Sequence, residues 1–157
     1  MKKIIQECIE YIRGGSESVK ADLFKKRSLR LAEINIDEVE LYILENKELS
    51  FNELLFRMID RTNQKDSDVY KKARIDRRLF SKIRSSKKYI PSKKTVLALC
   101  LALELSRSDT LILLKSAGYS LSNSDDYDLA ISFFISRKIY NFYEINEILY
   151  ELGFDVF

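Results

Sequence analysis

The sequence predicts a mainly α-helical fold, and two observations carry the prediction. Apolar residues recur at helical spacing in one segment after another, and most of those segments open on a Ser, Asp or Asn placed to cap a helix. The 157 residues, 46% apolar and 32% charged, suffice for one buried core plus an appendage.

In residues 2–13, Ile4, Ile5, Cys8, Ile9 and Ile12 form an amphipathic stripe that Gly14-Gly15 ends. Residues 16–28 are polar and basic around Leu23-Phe24. Residues 29–44 read two ways. Leu29, Leu31, Val39, Leu41 and Ile43 alternate as in strands, with Asn35–Asp37 as a turn, whereas Asp37-Glu38-Val39 onward starts like a capped helix. The N-terminal element is therefore a helix or a β-hairpin, with the helix preferred.

From Ser50 the signals sharpen. Ser50 and Glu53 make a capping box, followed by a stripe of Phe51, Leu54, Leu55, Met58 and Ile59. Asp66-Ser67 opens a short helix to about Ala73, and Asp76 caps another to Ser85. After the basic loop 86–91, Ser92 caps a helix through Leu105 that is apolar nearly all round and must be buried on most sides. Asp109–Ala117 is a fifth helix closed by Gly118, and residues 125–136 and 141–152 are two more.

Composition excludes several chemistries. The absence of histidine removes Ser-His and Cys-His nucleophile pairs and His-ligated metals. Cys8 and Cys100 are too far apart for a Cys-x-x-Cys pair, and Cys100, inside an apolar run, reads as a core residue. No phosphate-cradling glycine loop is present. Asp125, Asp126 and Asp128 lack the glycine and distal glutamate of a cation loop and suit a helix N-terminus instead. No enzyme, cofactor or metal site is expected. The longest apolar run, Val96–Leu103, is too short for a membrane span, and charge enters the N-terminus too early for a secretory signal, so a cytoplasmic protein is expected.

The net charge of +3 conceals segregation. Residues 65–94 carry twelve basic and three acidic residues, residues 117–157 two basic and seven acidic, and residues 1–48 nine basic and ten acidic. The +9 block is either a solvated face or the contact for an anionic partner, nucleic acid first. On its helix 77–85, Phe80 and Ile83 are the core-facing residues. Arg77, Arg78, Ser81, Lys82, Arg84 and Ser85 remain outward, with no carboxylate after Asp76. A helix of this length fits the DNA major groove, where Arg binds guanine bidentately.

Residues 50–118 resemble the phage-repressor-like (xenobiotic-response-element, Cro/C1-type) helix-turn-helix domain. The resemblance rests on Asp66-Ser-Asp-Val-Tyr-Lys-Lys-Ala-Arg-Ile-Asp-Arg-Arg-Leu-Phe-Ser-Lys-Ile-Arg-Ser85, on Pro91-Ser92 with the Ala98…Ala102-Leu103 helix, and on Leu111–Leu114. It implies a five-helix domain over 49–118, with a small N-terminal element, 1–48, and an acidic, aromatic-rich two-helix extension, 119–157. It also implies that Arg77, Arg78, Ser81, Lys82 and Ser85 face the groove and that Lys87, Lys88, Lys93 and Lys94 hold phosphates. The chain departs from the family pattern at Tyr70, usually alanine, at Arg74, often glycine, and at Asp66-Ser67, where glutamine is usual. Tyr70 and Arg74 imply a wider or rotated corner.

Nine of the eighteen aromatics fall in residues 127–157. Ile145 and Leu149 are expected to face inward, and Phe154 and Phe157 to meet another chain. The expected function is a sequence-specific DNA-binding transcriptional repressor, acting as a dimer on double-stranded DNA. The alternative is a protein-interaction module (antitoxin, defence-system component or inhibitor) gripping a partner through 1–48 or 119–157. RNA binding through the same basic face ranks third.

Overall fold

The computed structural model describes residues 21–26 and 35–157, and the chain divides into two compact units, residues 1–47 and 48–157. The stripe at 2–13, its Gly14-Gly15 end and residues 29–34 of the ambiguous stretch lie outside the described residues. Eight named helices, and no strand, occur among the described residues.

In the first unit, residues 21–26 are helical and α1 spans Ile36–Asn46. The strand reading of 36–44 is thereby overturned. Asn35 accepts a hydrogen bond from the Asp37 amide at 3.0 Å, and Asp37 and Glu38 sit in the first turn, where the helix dipole favours them. These local helix signals outweigh a short alternation of Val39, Leu41 and Ile43, which has no strand to join among the described residues. None of α1's residues is buried.

The second unit holds α2 (Phe51–Thr62), α3 (Asp66–Lys72), α4 (Arg77–Ser85), α5 (Lys93–Ala102), α6 (Arg107–Ser116), α7 (Asp126–Ser136) and α8 (Phe142–Glu151). The capping box of α2 is formed: the Ser50 hydroxyl accepts from the Glu53 amide, and the Ser50 amide donates to the Glu53 carboxylate. The hydroxyl and amide of Ser50 hold the Glu53 carboxyl below its ordinary pKa. Every residue of α5 from Val96 to Ala102 is buried, so this helix is the axis of the core. Helices α3 and α6 pack on it, α2 and α7 pack on α6, and α4 packs on α3. The buried side chains of α7 and α8, including Ile131, Phe134, Ile145 and Leu149, belong to the same core cluster. Among them the Cys100 thiol, pushed up to about 12 by burial, stays neutral and unreactive.

Helix α6 starts two residues earlier than the sequence pattern indicates. Ser106 accepts from the Asp109 amide at 3.1 Å and donates back to its carboxylate at 2.9 Å, so the cap is Ser106. Helix α5 ends three residues earlier than expected, because Glu104 turns left-handed at φ 53°.

Five helices end in one way. After α3, α5, α6, α7 and α8 a left-handed residue follows the cap (Arg74, Glu104, Gly118, Lys138, Gly153), and the next amide donates back into the last turn. Those next residues, Ile75, Leu105, Tyr119, Ile139 and Phe154, all pack on the core. Three of the five left-handed positions are not glycine, which costs each about 1 kcal/mol. Arg74 and Glu104 gain a partner that offsets the strain, respectively the Phe142–Tyr143 rings and Lys72. Lys138 is exposed and has no ion pair among the described residues. Lys138→Gly should therefore stabilise the protein by up to about 1 kcal/mol, and Gly118→Ala should destabilise it by about as much. Urea midpoints at constant slope check both.

Candidate nucleic-acid interface

The basic block is displayed by α4, the loop 86–91 and the start of α5. Asp76 caps α4 by accepting from the Arg78 amide, and Phe80 and Ile83 sink its inner face into the core. Leu79 packs partly against the core beside these two anchors, and the polar side chains of the helix are left to project outward. Arg77, Arg78, Ser81, Lys82, Arg84 and Ser85 are all exposed, as are Lys87, Lys88 and Lys94.

A second anchor holds the far end of α4. Asn52 is buried beneath it, and its side-chain amide donates to the carbonyls of Ile83 and, at 3.3 Å, Arg84. Sequence reasoning missed Asn52. The available signal was a polar residue on the same helical face as the apolar Leu55 and Ile59.

The corner between α3 and α4 is four residues long, 73–76. Arg74 takes φ 55°, the left-handed value for which glycine is ordinarily used, and Ile75 packs from the corner onto the core. The Tyr70 ring lies 5.6 Å from the Phe80 ring, so its bulk fills the angle between the two helices. The guanidinium of Arg74 sits 5.0 Å from the centre of the Tyr143 ring and 5.9 Å from that of Phe142, which ties the corner to α8.

The ten residues singled out from the sequence divide into three groups by their surroundings. Arg77, Arg78, Ser81, Lys88 and Lys94 have no side-chain partner among the described residues. Lys82 lies over the Tyr89 ring at 4.2 Å, Lys87 makes an exposed 3.4 Å pair with Glu53, and the Ser85 hydroxyl donates to the Lys82 carbonyl at 3.4 Å. An exposed pair of that length contributes little and leaves Lys87 able to turn to another anion. Arg84 and Lys93 are committed to the fold. The Arg84 guanidinium stacks over Phe56 at 4.0 Å and meets Asp66 at 2.5 Å. That pair neutralises Asp66, one of the two acids in the first turn of α3. Lys93 reaches Asp128 at 2.6 Å, and Asp128, only 2% exposed, accepts in addition from the Ser122 amide at 2.7 Å.

The loop between α4 and α5 is pinned by the Tyr119 hydroxyl, which donates to the Pro91 carbonyl at 2.9 Å. Beside the Lys93–Asp128 pair lies an open cleft of about 740 Å³, lined also by Lys94, Tyr127, Phe154 and Asp155. Burial, with the nearby Asp155 and Asp128 carboxylates, pushes the Tyr127 hydroxyl up to about 12. Asp125 caps α7, in line with its reading as a helix N-terminal residue. No group of residues suited to a metal ion occurs among the described residues, and no helix there is long and apolar enough to cross a membrane.

Phe154 and Phe157 do not stand out for another chain. Both are half-buried: Phe154 packs edge-on to Tyr127, and Phe157 edge-on to Phe142. The chain end is held because Asn146 both donates to the Phe157 carbonyl and accepts from its amide. Ile145 and Leu149 face inward as expected, while Phe133, Tyr143 and Tyr150 are the exposed aromatics of α7 and α8.

Comparison of the chain with protein families, with curated proteins and with solved structures gives no match.

Lys93→Ala leaves the Asp128 carboxylate buried without its cation and should destabilise the protein by about 3 kcal/mol. Lys94→Ala, one residue on, should change stability by less than about 0.5 kcal/mol. Denaturant titration of the two variants separates the structural lysine from the displayed one.

Proposed function

We propose that the chain is a sequence-specific DNA-binding transcriptional regulator of the bacterial or phage repressor type. It works as a dimer, through a helix-turn-helix formed by α3 and α4. The observation that carries this reading is the exposed face of α4. Arg77, Arg78, Ser81 and Lys82 stand outward over a buried Phe80–Ile83 face, and no carboxylate opposes them within the helix.

In this reading Arg77, Arg78, Ser81 and Lys82 address base edges in the major groove, and Ser85 lies at the end of the same face. Lys87, Lys88 and Lys94 address phosphates, which fix register without carrying sequence information. Arg84 and Lys93 hold the frame through Asp66 and Asp128. A two-fold-related site would place half-sites about 34–36 Å apart.

A second reading is a protein-interaction module on the same scaffold. It is favoured by α1, whose large apolar side chains are exposed.

Fluorescence anisotropy against the DNA upstream of its own gene and a scrambled duplex, over a salt series, tests the proposal. The expected result is binding to the upstream DNA that survives physiological salt while the scrambled duplex is released. Arg77→Ala or Arg78→Ala should cost about 1–3 kcal/mol and relax preference at one base pair, whereas Lys88→Ala should weaken both duplexes alike and lower the salt slope by about 1. Equal, weak binding to both duplexes that collapses with salt overturns the proposal in favour of the second reading.

A further inference from the structure

An eleven-residue helix is marginal in water on its own, yet α1 buries nothing. Its six large apolar side chains, Ile36, Val39, Leu41, Tyr42, Ile43 and Leu44, are between 46% and 72% exposed. Ile36, Val39 and Ile43 fall on one line at helical spacing, with Leu44 and Tyr42 on either side of it. Asp37, Glu38 and Glu45 occupy the other side of the helix, with Leu41 between them. Among the described residues nothing covers this line, and the charges beside it indicate what does.

Glu40 and Lys47 are one heptad apart and flank the apolar line on the same side, Lys47 being the C-cap. When two identical helices pack antiparallel, like flanks face each other. Glu40 then meets Lys47 across the seam, twice, about a two-fold axis. Parallel packing offers Glu40 no cation, because the opposite flank carries Tyr42, and Asn46 continues the line itself beyond Val39. The three remaining carboxylates point away from the seam, into solvent.

We propose that α1 is the seam of a homodimer, in which two copies pack antiparallel through Ile36, Val39 and Ile43 and Glu40 pairs with Lys47 of the partner subunit. The seam deepens the reading above by supplying its dimer, yet the two can fail separately, since the seam uses none of the residues of α4.

Sedimentation equilibrium of the full chain without DNA tests the seam. A monomer–dimer equilibrium is expected, and Ile43→Glu should weaken it by roughly a hundredfold, since the carboxylate would be buried without a partner. Thermal unfolding of the α2–α8 core in Ile43→Glu should match the parent, because Ile43 is exposed within one copy and lies outside that unit. Glu40→Lys and Lys47→Glu alone should each weaken association roughly three- to tenfold, and together restore it. An Arg77→Ala/Arg78→Ala variant should dimerise as the parent does, so that loss of DNA binding and loss of the seam are read apart. A chain that stays monomeric overturns the proposal and leaves the face to some other occupant. So does a dimer indifferent to Ile43→Glu, or a double charge reversal that fails to restore association.

Discussion

The second unit is organised by the demand of α5 to be covered on every side. Val96 to Ala102 present apolar side chains in all directions, and no single neighbour can bury a helix of that kind. Helices α3 and α6 lie against it, and α2, α4 and α7 reach the core through those two. Burial applies only to the apolar stretch, so the start of the helix, with Lys93 and Lys94, lies at the margin of the core. The loop that enters α5 carries Lys87 and Lys88 for the same reason: it runs over the surface to reach the one end of α5 that is polar. The location of the basic face is thus partly a consequence of the core.

Placing twelve basic residues within thirty creates self-repulsion. The fold moderates it by committing some cations to anions or rings, most of them brought from outside that block. Arg84 takes Asp66 and the face of Phe56, Lys72 takes Glu104, Lys93 takes Asp128, and Arg74 lies against Phe142 and Tyr143. Arg77 and Arg78 are left without such an arrangement among the described residues, and both sit in the first turn of α4. Two cations there work against the helix dipole. Asp76 at the cap and the Phe80 and Ile83 anchors outweigh that penalty. Displayed cations in a locally unfavourable position, on a helix end otherwise firmly held, are what an anionic partner requires of a surface.

Most of the second unit was legible in the sequence because its signals are local. The Ser50–Glu53 box, the Asp76 and Ser92 caps and the stripe of α2 each lie within one or two turns of chain. What escaped was either long-range or masked by a stronger pattern. Arg84 and Asp66 are eighteen residues apart, and Lys93 and Asp128 thirty-five, so nothing near Lys93 distinguishes it from Lys94. Nor does anything near Arg74 reveal that it takes the left-handed conformation itself, with its guanidinium stacked on a ring of α8 nearly seventy positions on. Phe154 and Phe157 looked free because they end the chain, but their partners Tyr127, Phe142 and Asn146 are recognisable only once α7 and α8 are folded.

The two units differ in how far their sequences determine their surroundings. In the second, nearly every strong apolar stripe finds its cover within the chain, and the polar remainder is explained by caps, pairs and the basic face. In α1 the local rules are satisfied just as well, with Asn35 capping and acids in the first turn, yet among the described residues the apolar line has no cover. Helix signals specify that a segment coils; they do not specify what it coils against. For α1 the missing information lies in the relation of Glu40 to Lys47. One charge of each sign stands a heptad apart on one flank, so the helix can satisfy both with an inverted copy of itself. Such an arrangement duplicates whatever else the chain carries; under the proposed DNA-binding function, a face of two to four side chains would gain specificity by being presented twice about a two-fold axis.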